Sequence, residues 1–139
     1  SAAIIDQQKK NTSSGNEKAI EAMHRIKRSA IDMKFALLKG DMQEFARILG
    51  EGWEDKKKMA DAITNPMIQN VFDTAMSAGA LAGKVSGAGG GGFVMLMVEP
   101  TRKKEVIDAL NRLDGFVMPF QFTEGGAHGW RIYSTDKVK

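Results

Sequence analysis

The chain has 139 residues, of which 42% are apolar and 27% charged, the balance of one soluble globular domain with a real core. No apolar run approaches the 18 or more residues of a membrane helix, and no charged-then-apolar leader opens the sequence. The absence of cysteine excludes disulfides and thiolate metal sites and fits a reducing cytoplasm, while a net charge of +3 is too small an excess to argue for a nucleic-acid partner.

Ala2 to Lys10 reads as a helix with Ile4, Ile5 and Gln8 on one side, and the start at Ile4-Ile5 is abrupt, as in a domain cut from a longer chain. After the polar turn Asn11 to Asn16, Asn16 is placed to cap a second helix. In that helix Ala19, Met23, Ile26, Ala30, Met33 and Leu37 form an apolar stripe, widened by Ile20, Ile31, Phe35 and Leu38. Gly40 ends it and Asp41 restarts the chain as a new N-cap. The third helix, with Met42, Phe45, Leu49 and Trp53 inward, is expected to reach about residue 62, with a kink allowed at Gly50 and Gly52. Two long helices joined so tightly make an antiparallel hairpin. Asn65-Pro66 opens a fourth helix through Ile68, Phe72 and Ala75 to Gly79.

Beyond Gly79 the period changes. Leu81 to Ser86 and Phe93 to Val98 read as paired strands. Between them, five of the six residues from Gly87 to Gly92 are glycine. A tight hairpin turn needs only one or two glycines, and each costs roughly 0.5 to 1 kcal/mol of folding entropy against alanine. The cluster therefore points to a ligand loop, in which backbone N–H groups approach a bulky anion such as phosphate. It is neither a dinucleotide fingerprint nor a P-loop, because no Gly-Lys-Ser/Thr follows and a strand comes next. Pro100-Thr101 opens a helix with Val106, Ile107, Leu110 and Leu113 inward, and strands are expected near Phe116 to Phe122 and Gly129 to Tyr133. The pattern gives an α+β fold: a four-stranded, mainly antiparallel sheet with a long helical hairpin and further helices on one side.

Lys84 and Ser86 stand at the mouth of the loop, where a positive charge and a hydroxyl could meet a phosphate, or a solvated strand end and a backbone-bonded serine could serve structure alone. Lys56-Lys57-Lys58, next to Glu54 and Asp55, reads as a solvated helix face in preference to a phosphate-binding patch. His24 and His128 have no second ligand at metal spacing, and no carboxylate pair has an evident task. The methionines, Trp53 and Trp130 read as core.

The run Lys84-Val85-Ser86-Gly87-Ala88-Gly89-Gly90-Gly91-Gly92 resembles the third motif of the GHMP kinases, the superfamily of galactokinase, homoserine kinase and mevalonate kinase. Ile4 to Gln8, Ala22 to Lys27, Glu51-Gly52-Trp53, Ser77 to Leu81 and Pro119-Phe120 resemble the C-terminal half of the D-glycero-D-manno-heptose 7-phosphate kinases. The resemblance implies a ferredoxin-like C-terminal domain spanning residues 1–139, on the substrate side of an ATP-dependent kinase of a sugar or sugar phosphate. Its catalytic residues, and the hold on ATP and Mg²⁺, would belong to an N-terminal domain with a Gly-Leu-Gly-Ser-Ser loop, which this sequence lacks. It implies Lys84, Ser86, Gly87, Ala88, Gly89, Gly90, Gly91 and Gly92 as phosphate- or substrate-binding residues and no metal ligand. The implied partners are a small-molecule sugar phosphate, ATP, the chain's own N-terminal kinase domain and a second copy in a homodimer, with no nucleic acid or membrane, in the cytoplasm. The competing reading is a non-catalytic α+β regulatory or ligand-binding module in which the loop only shapes a turn. As a domain without its neighbour, the chain is also expected to expose a large apolar patch.

Overall fold

The computed structural model describes residues 2–130. Helices α1 (Ala2–Ser13), α2 (Glu17–Lys39) and α3 (Met42–Lys57) are followed by a 3₁₀ turn (Asp61–Ile63), α4 (Pro66–Ser77), strands β1 (Ala80–Val85) and β2 (Val94–Val98), a second 3₁₀ turn (Pro100–Arg102) and α5 (Lys103–Leu110). Three side-chain caps fix where helices begin. Asn16 accepts from the Ala19 N–H at 3.2 Å, Asp41 from Glu44 at 3.0 Å and Asn65 from Ile68 at 2.9 Å, each satisfying a first-turn donor that has no partner within the helix. Gly40, at φ 70°, closes α2 with its N–H directed at the Ala36 and Leu37 carbonyls, and the single residue Asp41 then turns the chain into α3.

In the hairpin so formed, α2 turns Ala19, Ala22 and Ala36 inward, with Ile26 and Met33 half-buried on the same face. The apolar stripe is therefore narrower than its sequence suggests: Leu37 is 57% exposed, Phe35 54% and Leu38 72%. Ile31, at 55%, is exposed as well, and Ile31, Phe35 and Leu38 recur at helical spacing along one side of α2. Helix α3 runs unbroken through both glycines, and at Gly50 an added Cβ would stand 3.7 Å from that of Ala82, so the helix lies close on β1. It ends at Lys57 rather than near 62, because Lys58, Met59 and Ala60 turn the chain so that Ala60 and Ile63 enter the core. That core gathers Ile4, Trp53, Ala60, Ile63, Ile68, Phe72 and Val85, with Ala88, Val94 and Leu96 against it. Trp53 stacks on Phe72 at a centroid distance of 5.4 Å and 9° between planes, which locks α3 to α4 beneath β1.

The strands pair antiparallel, from Val85 opposite Val94 to Ala80 opposite Val98, with an irregularity between Ala80 and Ala82. Among the described residues the sheet has these two strands and not four. Phe116 to Phe122 forms no strand; Phe116 is 76% and Phe122 91% exposed. Pro119 removes a ladder donor from the centre of this run, and the run pairs with neither β1 nor β2. Trp130, expected in the core, is also exposed, as is Met67. The last expected strand extends to Tyr133, outside the described residues beyond 130.

Asp55 ties the helical hairpin to the turn after α3: it is buried, and accepts from Arg25 of α2 at 2.9 Å and from Lys58 at 2.9 Å. Burial alone would raise its pKa, but the hydrogen bonds from Lys58 and Arg25 outweigh it and hold the carboxyl below the ordinary aspartate range. A depressed folded-state pKa contributes stability that is present above the unfolded value and lost as pH falls through the folded one. Asp55→Asn should therefore cost about 1 kcal/mol at pH 7, since Arg25 and Lys58 are half in solvent. Urea unfolding at pH 7 and pH 3 should show the gap from wild type narrowing at the lower pH; an unchanged gap would mean that the carboxylate charge does not contribute to stability.

Candidate functional site

β1 and β2 deliver Ser86 and Phe93 side by side, and the Ser86 N–H donates to the Phe93 carbonyl at 2.8 Å, closing the neck of the loop. Within it the backbone has φ 80° at Gly87, 107° at Gly89, 76° at Gly90, 152° at Gly91 and 95° at Gly92. All five lie in the region that a Cβ disfavours, so the composition of the loop follows from its path. Two kinds of glycine separate once the surroundings are added. A Cβ on Gly89 would fall 2.7 Å from the Ile63 carbonyl oxygen, and one on Gly90 would fall 2.6 Å from Ile4 Cδ1 and 3.2 Å from the Ala62 oxygen. At Gly87, Gly91 and Gly92 the same direction is open.

Three polar contacts hold this path. The Gly90 N–H donates to Ile63 O at 2.8 Å. Asn65 caps α4 with its side-chain oxygen and uses its amide nitrogen to reach Gly90 O at 3.2 Å. The Lys56 ammonium, from the last turn of α3, donates to Gly87 O. Ala88 and Val85 rest on the core. By contrast, the N–H groups of Gly87, Ala88, Gly89, Gly91 and Gly92 donate to no group among the described residues. A fixed loop with several uncommitted amides is a nest suited to an anion.

Lys84 is half-buried at the end of β1, while Ser86 and Gly87 are exposed. Lys56 is half-buried as well, and its ammonium is held below the ordinary lysine range by burial and by the charge of Lys84. The fold thus joins Lys84, Ser86 and the glycines with two residues that sequence reasoning misses, Lys56 and Asn65. A signal for Lys56 is present: Lys57 and Lys58 have Glu54 and Asp55 three residues before them, whereas Lys56 has Gly52, Trp53, Met59 and Ala60 at helical spacing. The loop contact of Asn65 has no such signal, since a capping role accounts for the residue fully.

A separate open groove of about 630 Å³ lies between α3, α4 and the start of β1, lined by Trp53, Phe72, Met76 and Ala82 and by mixed charges including Glu51, Asp73 and Lys57. No residue from Lys84 to Gly92 lines it. Its acidic and basic side chains neutralise one another, so the loop, where positive charge and free amides coincide, is the better anion site. His24 and His128 are exposed and far apart in sequence, and no three metal-ligating side chains cluster among the described residues.

Residues 33–114, which include the loop, match the family described as GHMP kinases C terminal. The chain is 44% identical over 118 residues to the D-glycero-alpha-D-manno-heptose 7-phosphate kinase of Campylobacter jejuni, an alignment covering 85% of this chain and 35% of that protein. It is 29% identical over 80 residues to the L-fucokinase/L-fucose-1-P guanylyltransferase of Bacteroides fragilis, covering 58% of this chain and 8% of that protein. Among solved structures, a Campylobacter jejuni protein described as a sugar kinase superposes with a TM-score of 0.61 at 44% identity, over 81% of this chain and 34% of that one. The mevalonate kinase of L. major superposes with a TM-score of 0.71 over 80% of this chain and 34% of that one; at 19% identity it shows the fold alone. The chain spans about a third of the length of the heptose 7-phosphate kinase it matches.

The two kinds of loop glycine should separate on mutation. Gly92→Ala introduces backbone strain only, about 1 to 2 kcal/mol, whereas Gly89→Ala must also displace the Ile63 backbone, adding about 1 to 3 kcal/mol. Urea denaturation of the pair measures this, and equal losses would mean that Gly89 is not pressed against the turn at Ile63.

Proposed function

The chain belongs to the GHMP kinase C-terminal family, and on that premise we propose that residues 1–139 form the substrate-side domain of an ATP-dependent kinase that phosphorylates a sugar or sugar phosphate of the heptose 7-phosphate type. The observation that carries this reading is the glycine loop, fixed by Ile63, Asn65 and Lys56 while five of its amides remain uncommitted. Phosphoryl transfer is catalysed mainly by positioning and by stabilising charge on the transferred group. Lys84, Ser86 and the loop from Gly87 to Gly92 supply such positioning and charge, and the rigid glycine path lets backbone approach a phosphate closely.

The fit differs for the two groups that the family brings with it. The loop suits phosphate, whether of ATP or of the acceptor. Mg²⁺, which neutralises phosphate charge in such reactions, finds no cluster of three or more carboxylate or histidine ligands among the described residues. We assign the catalytic residues and the main hold on nucleotide to an N-terminal kinase domain, the cytoplasm as the setting, and Ile31, Phe35, Leu37 and Leu38 as surface for that domain or a second copy to cover. We also read Phe116 to Phe122, where Phe116, Met118, Phe120 and Phe122 alternate with other residues, as a strand for an open edge of the β1–β2 pair. Phe116 already meets Phe93 edge-on at a centroid distance of 6.3 Å.

The reading is tested by exchanging the matching third of the Campylobacter jejuni enzyme for this chain and assaying ATP-dependent phosphorylation of D-glycero-alpha-D-manno-heptose 7-phosphate. Turnover by the chimera is expected, and a chimera that melts cooperatively yet transfers no phosphate contradicts it. In an active chimera, Gly91→Val is the informative loop variant, because Gly90 is already blocked by Ile4 whereas Gly91 faces open space. Turnover per folded molecule should fall at least about tenfold, equivalent to about 1.4 kcal/mol of lost transition-state stabilisation. Unchanged turnover would return the loop to a purely structural role.

A further inference from the structure

The lysine run at the end of α3 divides into two kinds. Lys57 pairs with Glu54 at 2.6 Å and Lys58 with Asp55 at 2.9 Å. Lys56 meets no carboxylate among the described residues; its ammonium lies on the carbonyl of Gly87, the first residue of the glycine loop. Lys84 stands three residues before that glycine, on the strand that leads into the loop, and it too forms no salt bridge among the described residues. Two half-buried lysines on separate elements therefore flank one loop mouth, Lys56 through its contact with Gly87 O and Lys84 through its place on β1 three residues before that glycine, and the charge of Lys84 adds to burial in lowering the pKa of Lys56.

Such an arrangement is unfavourable in isolation. Like charges repel, and each ammonium loses part of its hydration without an opposite charge in return. If the only task were to pin Gly87 O, a neutral donor such as glutamine would serve without the repulsion. A dianion at the loop mouth reverses the balance, because it can accept charge-assisted hydrogen bonds from both ammonium groups and from the uncommitted amides beside them.

We propose that Lys56 and Lys84 form a two-cation clamp for a phosphate group at the mouth of the glycine loop, with Lys56 leaving or sharing Gly87 O to bind it. The proposal deepens the phosphotransfer reading and rests on it: it names Lys56 as a ligand-positioning residue and phosphate as the chemistry recognised. That phosphate belongs either to a nucleotide polyphosphate or to a phosphorylated sugar, and two probes distinguish them.

The test titrates pyrophosphate and, separately, glucose 6-phosphate into the ¹⁵N-labelled chain, following the amides of residues 87–92. At least one probe should give saturable shifts centred on these amides, and the tighter binder identifies the source. Lys56→Met and Lys84→Met should each weaken binding at least about tenfold, while Lys57→Met, which removes an equal charge nearby, should change it less than about twofold. Lys56→Gln separates a clamp from a latch, since it keeps a neutral donor for Gly87 O. A clamp requires it to bind as weakly as Lys56→Met, and all variants are compared only after their melting shows them folded. Binding by Lys56→Gln within twofold of wild type overturns the proposal, as does the absence of loop shifts with both probes. Its failure is distinct from that of the kinase reading: an active chimera with a neutral Lys56 effect rejects the clamp alone, and an inactive chimera with Lys56-dependent phosphate binding rejects the reaction alone.

Discussion

The loop from Gly87 to Gly92 depends on a backbone path that residues with side chains disfavour. Five positive φ angles in six residues would leave a free chain widely disordered, because glycine has more conformations to lose than any other residue. Order must come from what surrounds the loop. The Ile63 carbonyl, the Asn65 side chain and the Lys56 ammonium supply it, while Ile4 closes over Gly90. These groups come from α1, the end of α3, the 3₁₀ turn and the cap of α4, so the helical layer acts as a mould for one loop. The early end of α3 belongs to the same requirement. A helix continued to residue 62 would carry Ile63 away from the core position from which it faces Gly89 and Gly90.

Electrostatics divides the protein along the same lines. Around Asp55, opposite charges meet over short distances and the buried carboxylate is compensated by Arg25 and Lys58, the arrangement expected where charge serves structure. Around the loop mouth, Lys56 and Lys84 remain without a carboxylate among the described residues and share a partly desolvated site. Uncompensated charge in a partly buried place is where ligand binding is ordinarily found. The contrast explains why the large groove between α3 and α4 is a weaker candidate despite its size: its charges are of both signs and largely cancel.

Much of this is legible in the sequence, because local signals and tertiary structure agree there. Asn16, Gly40, Asp41 and Asn65-Pro66 mark helix ends by local chemistry that acts within four residues, a side-chain cap or, at Gly40, a left-handed backbone, and all of them do so in the fold. The loop is legible because five glycines in six positions far exceed what a hairpin turn requires. What the sequence conceals depends on distant partners. Leu37, Phe35 and Leu38 follow a helical period yet face outward, since periodicity shows that a face is apolar and not what covers it. Phe116 to Phe122 carries strand-forming residues, but Pro119 interrupts its backbone donors and none of the described strands pairs with it. Lys56 reads as part of a solvated run because a cluster of like residues conceals the one with no acidic neighbour. Asn65 serves two ends at once, and sequence reveals only the local one.

The central claim is that the loop is a preformed phosphate cradle rather than a turn that happens to be rich in glycine. The most direct measurement is a crystal structure of the chain with pyrophosphate. Phosphate oxygens are expected about 2.7 to 3.2 Å from at least two backbone nitrogens among residues 87–92, with the φ angles of the five glycines unchanged. An anion bound elsewhere, or a loop that reorganises so that its amides turn to protein carbonyls, would contradict it.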